Sequence, residues 1–373
     1  MRPIQSGEVQ IGQPVPYDIY DERGKLLLRA GQILVSASSV ERLVRVAYFD
    51  DGTYAAVRAN VLDDSESGNR PLGLILSARY RLHALLTGSK IAGFPEEIKR
   101  VAELLHRACR VNADLSLASI VMQHDGSYAI RHMINAAIAC ELVGDALGLS
   151  LVERIPIVAA ALTMNIGMLE LQEELLTVDG PLSDVQHGGV RQHCQRSVEL
   201  LQERGVADAL WLQAVLDHHE RSDGSGYPGG KPGETIELPA RLLAAADVYC
   251  ARVTGRGYRP ALQANIALRW LYLNEGARLD GNVAASFIKT LGIYPPGTGV
   301  RLRNGSVAVV THRGRGGLTP QVSSITTHDG LRIGTPIRRR NDVGAHAISE
   351  VVDLDALDLS VSMEALWGAD ATT

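Results

Sequence analysis

The chain has 373 residues, 46% apolar and 21% charged, with 37 basic residues against 42 acidic ones and a net charge of −5. That length suits two or three domains, and the composition excludes wholesale disorder, collagen-like repeats and a disulfide-stapled miniature fold. The slight acidity leaves no chain-wide field for a polyanion, so no nucleic-acid polymer is expected as partner, whereas a small anion in a local basic pocket is compatible with it.

The longest strongly apolar run, Ile155 to Met164, is about half of what crosses a bilayer, and the first residues lack a signal-peptide core; no membrane and a cytoplasmic location are expected. Cys109, Cys140, Cys194 and Cys250 are widely spaced with no C-x-x-C and read as buried, reduced thiols. Short β-type runs, Pro16 to Tyr20 and Lys25 to Leu28, flank the turn Asp21-Glu22-Arg23-Gly24 and predict a small β-containing N-terminal domain over residues 1–68. The polar stretch Asp63 to Arg70 reads as a linker. From Ser77 to Val121 the spacing is helical with a break at Gly93-Phe94-Pro95, which predicts two connecting helices within 69–124, available for a homodimer contact.

Residues 126–292 read as successive helices. Ile130, Met133, Ile134, Ala137 and Ile138 fall on one stripe, and Trp211, Ala214, Val215 and His218 on another. After Pro295-Pro296-Gly297 the pattern changes to short strands, Gly299–Leu302, Ser306–Val310 and Gln321–Ile325. The expected fold is mainly α: a helical bundle over 125–325 ending in a β-appendage, with a C-terminal extension over 326–373.

The segment His218-His219-Glu220-Arg221-Ser222-Asp223-Gly224-Ser225-Gly226-Tyr227-Pro228 carries the strongest chemical signal. Adjacent histidines closing a helix can turn toward one cation, or simply serve the helix dipole. His132, His193 and Asp247 also lie in apolar helices. Asp247, beside three alanines, is costly to bury unless it pairs with an arginine or meets a metal. Imidazole and carboxylate ligands on separate helices suit iron, manganese or zinc.

These residues resemble the HD-GYP family, whose active members are bacterial cyclic-di-GMP phosphodiesterases with two or three metal ions in a helical domain. The string H-H-E-x-x-D-G-x-G-Y-P is complete, and the likeness continues through Ala240-Arg241, Asp247-Val248-Tyr249, Arg256-Gly257-Tyr258-Arg259 and Leu291 to Val300. The resemblance implies metal ligands at His132, His193, His218, His219 and Asp247. It implies phosphate contacts at Arg256 and Arg259, whose guanidinium forks suit phosphate. Gly224, Gly226 and Tyr227 would serve substrate contact or protein docking.

Where the family has H-D-x-G-K, this chain reads Met164-Asn165-Ile166-Gly167-Met168, and the second late aspartate is Cys250. Tyr128 stands where some members supply a carboxylate. Two divalent ions about 4 Å apart repel by roughly 16 kcal/mol at an effective dielectric of about 20, and Asn165 brings no charge to offset it. At most one ion is expected, held by His193, His218 and His219. The expectation is a degenerate HD-GYP protein that senses cyclic-di-GMP or docks a partner through the GYP loop. The alternatives are a working phosphodiesterase with a reduced metal site, and a scaffold whose histidines are hydrogen-bonded core residues.

Overall fold

The computed structural model describes residues 2–3, 19–21, 26–28, 47–49, 70–88, 92–178, 180–254, 261–314, 319–340 and 344–372. The chain falls into two compact units, residues 1–68 and 69–372. In the first, β1 (Arg2–Pro3), β2 (Ile19–Asp21), β3 (Leu26–Leu28) and β4 (Ala47–Phe49) form an antiparallel sheet in the order β1-β4-β2-β3. Strands β2 and β3 place Ile19 opposite Leu28 and Tyr20 opposite Leu26, while the turn expected between them lies outside the described residues.

The second unit begins with α1 (Pro71–Thr87), α2 (Phe94–Val111) and α3 (Ala113–Met122). Three helices thus occupy the stretch expected to hold two. The extra break is Asn112, whose extended backbone ends α2 while its side chain accepts the Leu115 N–H and caps α3. These helices do more than connect: Leu82, Ile98, Leu105 and Leu115 are fully buried in the same core as the helices that follow.

The bundle centre is α4 (Tyr128–Ala146), buried along nearly its whole length because Ala136, Ala137 and Ala139 admit neighbours on every side. It packs against α5 (Leu151–Thr163), α9 (Leu238–Val253), α2 and α1. A 3-10 turn at Ile166–Met168 and the short α6 (Leu169–Glu174) lead to α7 (Asp184–Glu203), which opens on a Ser183/Gln186 capping box. Asp208 caps α8 (Ala209–Asp217), and α10 (Ala264–Trp270) and α11 (Gly281–Leu291) complete the helical layer. The helical run Leu151–Glu174 is long and apolar enough to cross a membrane by length and composition, but 61% of its most apolar window is buried inside the bundle.

Strands β5 (Gly299–Leu302), β6 (Val307–His312), β7 (Gln321–Thr326), β8 (Arg332–Arg340) and β9 (Ile348–Val351) form an antiparallel sheet in the order β8-β7-β6-β5-β9. Residues beyond 325 therefore complete the sheet that the preceding residues begin. They also complete the main core: Met363, Leu366 and Trp367 of α12 (Met363–Trp367) belong to it, and Asn112 Nδ2 donates to Asp370 Oδ2 at 2.8 Å. The mainly helical bundle with a small N-terminal sheet and a C-terminal β-element is the fold expected from the sequence.

Candidate metal centre

Three of the five histidine and aspartate positions converge. His193 projects from α7, and His218 and His219 follow the last residue of α8. Each of the first two rings is fixed by its own helix: His193 Nδ1 lies 2.6 Å from the Val190 carbonyl oxygen and His218 Nδ1 lies 2.7 Å from that of Val215. A carbonyl can only accept, so both Nδ1 atoms carry the proton and both Nε2 atoms present lone pairs. Those lone pairs face each other at 3.3 Å. Two acceptors without a proton between them repel; a cation between them turns the same geometry into two ligand bonds. Anchoring the outer ring nitrogen on a carbonyl is also how metal-bound imidazoles are commonly oriented.

The His219 ring lies 4.3 Å from that of His218 and 5.0 Å from that of His193, and Tyr227 stacks on it at 4.7 Å. Burial holds all three imidazoles below the usual histidine range. His218 is pushed down to about 3, with the neighbouring His193 adding to the effect, and His219 is held well below the ordinary value. They stay neutral near pH 7, as ligands must be. Cys194 joins them: its Sγ lies 3.6 Å from His193 Nε2, and one donor atom from each of His193, Cys194, His218 and His219 falls within 4.8 Å of every other. The chemistry of this donor set fits a divalent ion.

His132 and Asp247 form a pair beside the cluster, with His132 Nε2 at 2.7 Å from Asp247 Oδ1. Burial alone would raise the Asp247 carboxyl, but the His132 bond and the nearby His219 and His218 hold it well below the usual carboxylate range. The partner of Asp247 is thus a histidine, where a bland reading of the sequence offered an arginine. His132 Nδ1 is buried without a partner.

Met164 and Asn165 close α5, at 0% and 1% exposure. The Asn165 Oδ1 is buried and unpartnered. Ser197 of α7 ties the two elements, its hydroxyl donating to the Met164 carbonyl at 2.8 Å and accepting the Gly167 N–H at 3.0 Å. Gly167 permits this closeness: a Cβ there would sit 2.8 Å from the His193 carbonyl oxygen and the Ser197 nitrogen. Helix α7 is therefore seated directly on the Met164–Met168 segment.

The loop after the histidine pair is folded around Glu220, which the motif contained without showing its task. Its carboxylate is buried and accepts Gly229 N–H at 2.6 Å and Lys231 N–H at 2.9 Å. Lys231 Nζ in turn pairs with the buried Asp217 at 2.7 Å. A Cβ on Gly226 would lie 2.4 Å from the Arg221 nitrogen, so only glycine fits that approach. Gly224 adopts φ +75°. The site rim carries a cation that sequence reasoning missed, Arg191, whose guanidinium lies 5.6 Å from the Tyr227 ring centroid. Arg256 and Arg259 lie outside the described residues.

Residues 96–283, just over half of the chain, match the HD domain family. The chain is 39% identical over 164 residues to the cyclic di-GMP phosphodiesterase PA4108 of Pseudomonas aeruginosa, covering 44% of this chain and 39% of that protein. It is 37% identical over 142 residues to the cyclic di-GMP phosphodiesterase response regulator RpfG of Xanthomonas campestris pv. campestris, covering 37% of each. Against the 3'3'-cGAMP-specific phosphodiesterase 1 of Vibrio cholerae the identity is 31% over 149 residues, 40% of this chain and 34% of that one. The chain thus spans roughly two fifths of the length of these curated relatives. Among solved structures it is similar in fold to Bd1817, a HDG"Y"P protein from Bdellovibrio bacteriovorus, with a TM-score of 0.52 and 15% identity over 76% of this chain and 97% of that one. With its match spanning residues 96–283, its HD-GYP-type helical fold and its histidine pair followed by the GYP loop, the chain belongs to the HD domain family.

Proposed function

We propose that the protein is a catalytically impaired member of the cyclic-di-GMP branch of this family, acting in the cytoplasm by sensing a cyclic dinucleotide or docking a protein. The observation that carries the reading is the pair Met164 and Asn165, sealed in the core where the family's histidine and aspartate belong. A thioether and an amide supply neither a bridging charge nor a proton carrier, so a two-ion centre loses the carboxylate that offsets its repulsion. The relatives' names point to cyclic dinucleotides as the ligand class; Arg191 beside Tyr227 is one cation for their phosphates, and Arg256 and Arg259 are the positions that the family resemblance assigns to them. The four cysteines, all buried and unpaired, suit a reducing compartment.

A bound divalent ion would lower the pKa of a coordinated water and polarise a phosphate. Around it, His193 and His218 would offer Nε2 while their carbonyl bonds hold the rings in place. A second reading, slow hydrolysis by a single ion on three histidines, draws on the facing Nε2 atoms at 3.3 Å. Single-turnover hydrolysis of cyclic-di-GMP separates the two, with protein loaded anaerobically with ferrous iron or manganese and the His218→Ala His219→Ala variant as blank. Cleavage no faster than the blank, together with saturable cyclic-di-GMP binding or capture of a specific protein partner, is the expected result. Cleavage clearly above the blank would replace this function with the hydrolytic one.

A further inference from the structure

The three histidines alone leave one corner of a tetrahedron open, and the residue nearest that corner is one the motif does not contain. We propose that Cys194 is a metal ligand and that the chain holds a closed His3Cys site of the kind that suits zinc. The inference rests on the placement of the histidine cluster as a metal centre and adds the identity of its fourth donor.

The distances carry the argument. With metal–nitrogen bonds of about 2.0–2.1 Å and a metal–sulfur bond of about 2.3 Å, the edges of a tetrahedron are about 3.3 Å between nitrogens and about 3.6 Å between nitrogen and sulfur. The His193–His218 Nε2 separation is 3.3 Å and the Cys194 Sγ to His193 Nε2 separation is 3.6 Å. Two edges therefore already have the lengths that a bound ion would set. One donor atom of each of the four residues lies within 4.8 Å of every other, and the sulfur lies 3.9 Å from the Nδ1 edge of the His218 ring, so closing the site asks for a shift of the Cys194 side chain toward His218 Nε2 and of the His219 ring toward both.

The placement has a local cause. His193 and Cys194 are consecutive on α7 and leave the helix in different directions. The bond from His193 Nδ1 to the Val190 carbonyl swings that ring along the helix surface until its Nε2 reaches the cysteine sulfur. Cys194 is fully buried. Among the described residues, no other cysteine joins a group of donor atoms within ligand reach, so Cys109, Cys140 and Cys250 act as internal controls.

On binding, the Cys194 S–H bond breaks, its proton leaves to solvent, and the sulfur electron pair forms the metal–sulfur bond. The ion then has one anionic and three neutral donors, a soft set that favours zinc over manganese. It also has no open position. Structural zinc sites are closed, whereas catalytic ones keep a corner for water. The thiolate replaces, at a different corner, the negative charge lost at Asn165, and it converts a hydrolytic centre into a clasp between α7 and the end of α8.

The test uses the full chain loaded with cobalt(II) as a spectroscopic stand-in for zinc. The expected result is one ion per chain, with a sulfur-to-cobalt charge-transfer band in the near ultraviolet and tetrahedral visible bands. The charge-transfer band should disappear in Cys194→Ser and persist in Cys109→Ser. Zinc affinity of Cys194→Ser should fall by about 100-fold or more, since even outer-shell partners of a ligand are worth 10–100-fold. Zinc binding should also release one proton fewer in Cys194→Ser than in the parent. Failure of the parent to take up cobalt, cobalt bound without the charge-transfer band, or parental zinc affinity in Cys194→Ser would each overturn the proposal. Hydrolysis is scored separately: turnover alongside the band would refute the impaired function and the closed coordination while keeping Cys194 as a ligand, whereas no band and no turnover would refute the ligand and leave the impaired function.

Discussion

Three neutral imidazoles, His193 and His218 buried and His219 half-buried, make the metal-free protein acid-labile in a calculable way. His193, His218 and His219 are all held below the ordinary 6.5, His218 down to about 3, so below pH 6.5 the unfolded chain binds protons that the folded chain refuses. Stability is therefore fully present above pH 6.5 and falls as pH drops, by about 1.4 kcal/mol per pH unit for each ring that stays neutral. At pH 5 the loss from His218 is about 2 kcal/mol, and His193 and His219 add to it with the same sign. At roughly 2 °C per kcal/mol for a unit of this size, the melting temperature in chelator should fall by roughly 4 °C from His218 alone, and by more with the other two, between pH 7.5 and pH 5. His124, exposed but also lowered by partial desolvation, acts with the same sign, and Asp247 adds nothing here because its lowered pKa acts only below the ordinary carboxylate range. Differential scanning calorimetry on chelated and zinc-loaded protein measures this directly. Zinc occupies the lone pairs, so the loaded protein should keep its melting point until protons displace the ion. A flat chelated profile over that range, or an unchanged slope in His218→Gln His219→Gln, would refute the account.

Other perturbations test the supports around the site. Glu220→Ala removes two charge-assisted acceptors and should cost about 3 kcal/mol, with new protease cleavage within residues 221–231; a loop as resistant as the parent's would show that Glu220 does not hold it. Gly226→Ala places a methyl against the Arg221 backbone and should destabilise the same loop by about 2–3 kcal/mol in urea titration. Glu141→Ala strips the buried Arg154 and His106 of their shared carboxylate and should cost about 3–5 kcal/mol, so a loss below about 1 kcal/mol would argue against that network. Met164→His with Asn165→Asp should raise bound metal above one ion per chain, as measured by elemental analysis; unchanged content would show that the core has closed over that position.

The helical architecture was readable because its cause is local: the stripe of Ile130, Met133, Ile134, Ala137 and Ile138 has only one period, and every member is buried. The adjacent histidines were readable for the same reason. What lay beyond the sequence depends on contacts between distant segments. Cys194 behaves in sequence as any small buried hydrophobe, and only the swing of the His193 ring, fixed by a backbone carbonyl, gives its sulfur a second meaning. Glu220 stood in the motif, yet its work is to accept backbone N–H groups nine and eleven residues further on. The pairing of His132 with Asp247 spans 115 residues. The third of the early helices was hidden because its boundary is a single capping asparagine rather than a glycine or proline. The role of residues 326–372 was equally hidden, because β8 is largely exposed and carries little apolar pattern.

The hydrogen bond from Asn112 to Asp370, and the placement of Met363, Leu366 and Trp367 in the core that α1 to α3 begin, set an order on biosynthesis. The two partners are 258 residues apart, so a ribosome working at about 5–20 residues per second needs roughly 10–50 s to deliver the second after the first. During that interval the apolar faces of the early helices await their last neighbours, and the nascent chain has a corresponding need for chaperone cover.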